Sequence, residues 1–266
     1  MELVLPELHM MFEDHGSGTP LLLIHGFPLN REMWRPQIED LSGVAHVIAP
    51  DLRGHGETPP SGEVSTMDLL ADDCLAVLEA LAIDKPAVIC GLSMGGYVAL
   101  AFYRRNRLRV AGLILAATRA GADSAEAKAN RDRLAAQAKS DGPQAVAKAM
   151  LPKMLSPKTY SEDPDLVARV EAIMLKTSLE GMVAVLLGMK DRPDSTSGLD
   201  QISVPTLILH GADDQLIPPA EAENMHAAIK GSQLKIIPDT GHLLNLEQAE
   251  VFNLAVTDFL HQLTSK

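Results

Sequence analysis

The stretch Pro86-Ala-Val-Ile-Cys-Gly-Leu-Ser-Met-Gly-Gly-Tyr97 opens as an apolar run and breaks at Gly91-Leu92-Ser93-Met94-Gly95. Val88 to Cys90 read as a strand buried on both faces, and Tyr97 to Tyr103 read as a helix. A serine set between a strand and a helix must adopt a strained backbone, and glycines at 91 and 95 let the neighbouring chain close around it. The hydroxyl of Ser93 is then presented at the carboxyl end of its strand, as a nucleophile requires. A structural turn serine is the competing reading.

The segments on either side repeat the same grammar. Pro20-Leu-Leu-Leu-Ile24 is uninterrupted and stops at His25-Gly26-Phe27-Pro28, and Ala45 to Pro50 stops at Asp51-Leu-Arg-Gly-His-Gly56. The N-terminal residues Leu3 to Phe12 alternate loosely and lead to a hairpin-like turn at His15-Gly-Ser-Gly18. A helix follows from Ser65, with Asp68 three positions on as a capping box and Leu69, Leu70, Cys74, Val77, Leu78 and Leu81 on one face. Val110 to Ala116 is a further buried strand. Alternating strands and helices predict an α/β fold with a mostly parallel sheet covered by helices on both faces.

Between Gly121 and Gly198 the rhythm changes. Four helical patterns, about 124–140, 143–155, 164–177 and 179–190, succeed one another with no strand, separated at Gly142-Pro143, Ser156-Pro157, Asp163-Pro164 and Arg192-Pro193. The chain therefore divides into a core over 1–120, a helical cap over 121–198, and a second part of the core over 199–266. That second part comprises a strand from Val204 to His210, a helix to about Ile229, a strand from Gln233 to Ile237 and an amphipathic segment over 248–263.

Composition removes several function classes. With 266 residues, 46% hydrophobic and 22% charged, the chain can bury a large core. A net charge of −12 with 23 scattered Lys and Arg argues against a nucleic-acid partner. No run reaches the length of about 18 apolar residues that a membrane span needs, and the N-terminal residues lack a signal-peptide pattern, so a cytoplasmic location and no membrane partner are expected. Cys74 and Cys90 read as core residues with no disulfide. No motif asks for a metal or an organic cofactor.

A serine hydroxyl needs a base to take its proton, and the base needs an acid to orient it. Ser93 is followed by the pair Asp213-Asp214 and then by His242, each just beyond a predicted strand and so at one edge of the sheet. Asp239, three residues before His242, suits the turn. His25, His55 and His210 stand beside glycines and read as loop-holding residues.

In these features the sequence resembles the α/β-hydrolase superfamily, and within it the small capped carboxylesterases and 3-oxoadipate enol-lactonases. The motifs are His25-Gly-Phe-Pro28, Asp51-Leu-Arg-Gly-His-Gly56, Gly91-Leu-Ser-Met-Gly-Gly96, Gly211-Ala-Asp-Asp-Gln-Leu-Ile-Pro218 and Gly241-His242, in order and over nearly the whole chain. The resemblance implies Ser93, Asp214 and His242 as a catalytic triad, with Asp213 the rival acid, and the backbone amides of Phe27 and Met94 as the oxyanion hole. It implies hydrolysis of small to medium carboxylic esters through an acyl-enzyme, with activity rising as His242 loses its proton. A lactonase, a perhydrolase or haloperoxidase-like enzyme, and a ligand-binding signalling receptor are the alternatives. Dehalogenase and epoxide hydrolase readings are disfavoured, because those chemistries resemble this fold with Asp, not Ser, at the elbow.

The substrate, a small ester or lactone, is expected between sheet edge and cap. Phe27, Trp34, Arg119, Met150, Met154 and Met182 are candidate walls. Core packing is the competing reading for Trp34 and the methionines. Arg119 could bind a substrate carboxylate as an enol-lactone would require, with a salt bridge at the cap hinge as its plainer reading. Arg192 and Asp194 read as hinge residues. Oligomeric state, monomer or homodimer, is not legible.

Overall fold

A computed structural model describes residues 1–5 and 8–264. The part of the expectation for 3–12 that falls on Pro6 and Glu7 lies outside them. In chain order the elements are β1 (Glu2–Leu5), β2 (Leu8–Gly16), β3 (Pro20–Ile24), α1 (Arg35–Leu41), β4 (His46–Pro50), α2 (Met67–Ala80), β5 (Ala87–Leu92), α3 (Met94–Arg105) and β6 (Val110–Ala116). Then come α4 (Ala125–Asp141), α5 (Pro143–Met150), α6 (Pro157–Glu162), α7 (Pro164–Met174) and α8 (Leu179–Lys190). The chain closes with β7 (Thr206–Gly211), α9 (Pro219–Ala228), β8 (Gln233–Ile237), α10 (Leu244–Glu247) and α11 (Ala249–Thr264).

Eight strands form one sheet in the order β1-β2-β4-β3-β5-β6-β7-β8, antiparallel at β1 and β2 and parallel from β4 to β8. The unbroken runs at β3, β5 and β6 take its centre, where both faces are covered. One hydrophobic cluster lies on each side: Trp34, Phe252 and Phe259 on the face of α1 and α11, and Phe102, Leu70 and Val98 on the face of α2 and α3. Strand order reverses between β3 and β5, so the loop after Ile24 and the turn at Ser93 open side by side. Such a switch point leaves a crevice at the carboxyl ends of the strands.

Three local expectations are corrected. The turn at 15–18 closes no hairpin, because β4 lies between β2 and β3; the apolar β3 needs two-sided burial, and the alternating β2 pairs antiparallel with β4 instead. The N-cap of α2 is Thr66, whose side chain accepts from Leu69 N, whereas Ser65 is buried and its N–H bonds Ala184 O. The pattern over 143–155 stops as an α-helix at Met150 and continues as a 3-10 turn carrying Pro152, and the Ser156-Pro157 break itself starts α6.

Helices α4–α8 all lie between β6 and β7, and they are not loosely attached. Ser178 N and Oγ both donate to Gly54 O, at 2.9 and 3.0 Å, and Thr177 Oγ1 donates to Pro28 O at 2.8 Å. Leu243 N bonds Met154 O, and Ser156 N and Thr159 Oγ1 both donate to Glu247. Gly181 of α8 meets Gly54 backbone to backbone, and a Cβ on either would collide. At the two ends of the insertion, Arg192 donates to Asp123 at 2.7 Å and to Gly121 O at 2.6 Å, clamping outgoing chain to returning chain. Among the described residues no single helix is long and apolar enough to cross a membrane, and α7 and α8, which together reach that length, bend by 91°.

Candidate active site

Ser93 sits at φ 56° and ψ −114°, a strained conformation for a residue with a side chain. The neighbours permit it. A Cβ on Gly91 would strike the backbone of Gly95 and Gly96, and one on Gly95 would strike Ile24 O and His25 O, so α3 can begin pressed against β3 and β5 only because both positions are bare. Ser93 N is held by Ala116 O and Ser93 O accepts from Thr118 Oγ1, which fixes the turn. The N–H groups of Phe27 and Met94 have no hydrogen-bond partner among the described residues.

Beyond β7, Asp214 turns inward and Asp213 outward. Asp214 Oδ1 accepts from Leu216 N at 2.8 Å and Ile217 N at 3.0 Å, and Oδ2 accepts from His242 Nδ1 at 2.8 Å. Its side chain is buried, and so is that of His242. Burial alone would raise the Asp214 pKa. The charge of His242, then hydrogen bonds from His210 and His242 and the Ile217 amide, hold it far below the usual carboxylate range, so the acid stays ionised. Asp213 is exposed, and Asp239, at φ 54°, shapes the turn and pairs with Lys158.

Ser93 and His242 line one cleft of about 540 Å³ with Phe27, Tyr97, Arg119, Met150 and Met189. Three candidate walls are elsewhere. Trp34 is fully buried against Phe252, 6.0 Å between ring centroids, and Met154 and Met182 are fully buried in the two hydrophobic clusters. Each is directed into the packed interior, a distinction a methionine count does not capture. Arg119 lines the cleft and also pairs with Asp123, so wall and hinge readings coincide. Arg131, Arg133 and Lys153, which also line it, were not singled out in the sequence. The spacing of Ala127, Asn130, Arg131, Leu134 and Gln137, one face of α4, is the signal that could have found the first of them.

His25 Nδ1 donates to Gly26 O and its Nε2 accepts from Leu52 N, joining the loops after β3 and β4. His55 packs on His25, 5.0 Å between centroids. Cys74 and Cys90 are free, buried thiols.

The family model for the alpha/beta hydrolase fold matches residues 19–249. An esterase from Thermogutta terrifontis, solved with malate bound, is 44% identical with a TM-score of 0.94, over 96% of this chain and 94% of that one. The enol-lactonase from Burkholderia xenovorans LB400 is 28% identical with a TM-score of 0.91, over 98% of this chain and 100% of that one. The AB hydrolase superfamily protein YisY of Bacillus subtilis is 32% identical over 94% of both chains. On the family match, the sheet and these relatives, the chain belongs to the alpha/beta-hydrolase-fold family.

Proposed function

We propose that the protein is a serine hydrolase of carboxylic esters, with Ser93 as nucleophile, His242 as base and Asp214 as the acid that orients it. The observation that carries this reading is the bond from His242 Nδ1 to the buried, ionised Asp214 in a cleft that His242 shares with the strained Ser93. A carboxylate on Nδ1 leaves Nε2 as the nitrogen that can accept a proton.

Ser93 Oγ attacks the ester carbonyl as His242 Nε2 takes its proton, and the carbonyl π electrons move onto oxygen. The amides of Phe27 and Met94, free of other partners among the described residues, receive that oxyanion. Collapse breaks the bond to the alcohol, which leaves with the proton from His242. Water, deprotonated by the same nitrogen, then cleaves the acyl-enzyme and restores Ser93. Helices α4–α8 act as the cap over this cleft. The names of the esterase and enol-lactonase relatives are consistent with an ester or lactone substrate.

The test is turnover of 4-nitrophenyl butyrate by wild type and by Ser93→Ala and His242→Ala. Multiple turnovers that both substitutions abolish are expected. One slow turnover ending in a stable adduct would instead favour a ligand receptor.

A further inference from the structure

The lining of the cleft is unusual for a neutral ester. A pocket for an uncharged acyl chain is mostly apolar with a few polar groups. Here one wall is cationic: Arg119 from the chain entering the insertion, Arg131 and Arg133 from α4, and Lys153 from the 3-10 turn after α5 all line it, and among the described residues no Asp or Glu does. The protein as a whole carries −12, so this is a local reversal of sign.

The four cations fall into two kinds. Arg119 and Arg131 are partly buried and held in place by Asp123, a fully buried carboxylate that also takes Arg192. Three guanidinium groups on one carboxylate leave an excess of positive charge. Arg131 spends only Nε on Asp123, and its two terminal nitrogens keep no partner among the described residues. Arg133 and Lys153 are exposed and have no carboxylate partner among the described residues, while Asp132, which precedes Arg133 in the chain, is taken by Lys190 at 2.7 Å. Face and spacing on α4 put Asn130, Arg131 and Gln137 toward the cleft together, so that the helix offers donors to it.

We infer that the cleft selects esters whose acyl part ends in a free carboxylate, half-esters of dicarboxylic acids, with Arg131 and Arg119 receiving that carboxylate and Arg133 and Lys153 drawing it in. This rests on the hydrolase reading and adds the substrate class. A guanidinium whose position is already fixed by a buried acid binds a carboxylate with little ordering cost. The exposed pair acts at longer range and is screened by salt.

The experiment compares kcat/KM for mono-4-nitrophenyl glutarate and 4-nitrophenyl butyrate at low and high salt. The wild type should favour the half-ester by about tenfold or more, the size of one charge-assisted hydrogen bond. Added salt should shrink the preference, Arg133→Gln with Lys153→Gln should lower it through kcat/KM, and Arg131→Gln should remove it. Because Arg131→Gln also touches Asp123, Arg131→Lys, which keeps charge but not the fork, serves as a second variant and should retain part of it. Calorimetry on Ser93→Ala with adipate, against 1,6-hexanediol, reads the site without turnover. Equal rates on the two esters, or adipate binding no better than the diol, overturns the inference. Adipate binding without turnover of either ester by wild type would leave the anion site standing and sink the hydrolase reading instead.

Discussion

His210 Nε2 lies 3.3 Å from Asp214 Oδ2, the oxygen that also accepts His242 Nδ1 at 2.8 Å. The same His210 nitrogen donates to Ile217 O at 2.8 Å, so one buried imidazole braces both the acid and the loop that carries it. In the proposed mechanism His210 is therefore a positioning residue. Replacing it by Asn should lower kcat about tenfold, the worth of one such hydrogen bond, with KM little changed. Steady-state kinetics on 4-nitrophenyl butyrate checks this, and a rise in KM at constant kcat would contradict it.

The two neighbouring acids should behave very differently. Asp214→Asn presents an amide to Nδ1 and favours the wrong tautomer, so kcat should fall by about 10⁴-fold. Asp213, exposed and outside the hydrogen-bond set of His242, should tolerate Asn with a change of no more than about twofold. Equal losses at both positions would remove the distinction.

Acid should destabilise the fold in a defined window. Burial, outweighing a hydrogen bond to Gly26, lowers the His25 pKa to about 4, and burial together with His25 lowers that of His55 to about 3. Unfolded, both titrate near 6.5. Between about 6.5 and 4 the unfolded chain binds more protons than the folded one, so stability is full above that window and falls by about 1.4 kcal/mol per pH unit for each ring as pH drops through it. Urea unfolding at pH 7 and pH 5 should show this loss, with a shallower slope in His55→Gln. A pH-independent wild type would contradict it. The depressed Asp214 and Asp123 act at lower pH, below the carboxylate range of the unfolded chain.

The contact between insertion and core at Gly54 and Gly181 is testable by one methyl group. Gly181→Ala places a Cβ against Gly54 backbone and should cost about 2 kcal/mol, lowering Tm by about 4–8 °C. Gly198→Ala, whose Cβ would meet nothing, is the control.

Both cysteines should be silent in the native state. Burial pushes the Cys74 and Cys90 thiols far above their ordinary range, so a thiol reagent should label neither until denaturant is added and then label two.

Much of this architecture was legible because the central strands are continuous apolar runs and each ends in a glycine-rich loop; β3, β5 and β6 stand where periodicity puts them. The residues alone left the pair Asp213-Asp214 open and the family resemblance favoured Asp214; the structure pairs Asp214 with His242. Strand order was not legible: nothing local says that β4 separates β2 from β3, because pairing is a long-range outcome. The N-cap passed from Ser65 to Thr66 because Ser65 N–H is claimed by Ala184 O, a contact 119 residues away in the insertion. Trp34 and the methionines of α4–α8 were ambiguous for a related reason. An apolar side chain serves core and cleft equally well until the packing of its element decides its direction. Of the cationic wall only Arg119 was legible; Arg131, Arg133 and Lys153 were missed because they stand in the sequence as ordinary surface charges.

The most direct measurement is intact-mass spectrometry after treatment with diisopropyl fluorophosphate, followed by peptide mapping. A single adduct on Ser93, absent from Ser93→Ala and much slower to form in His242→Ala, is the result expected of an activated serine. Adduct formation that persists in Ser93→Ala, or a wild type that stays unlabelled while turning over 4-nitrophenyl butyrate, would contradict the account.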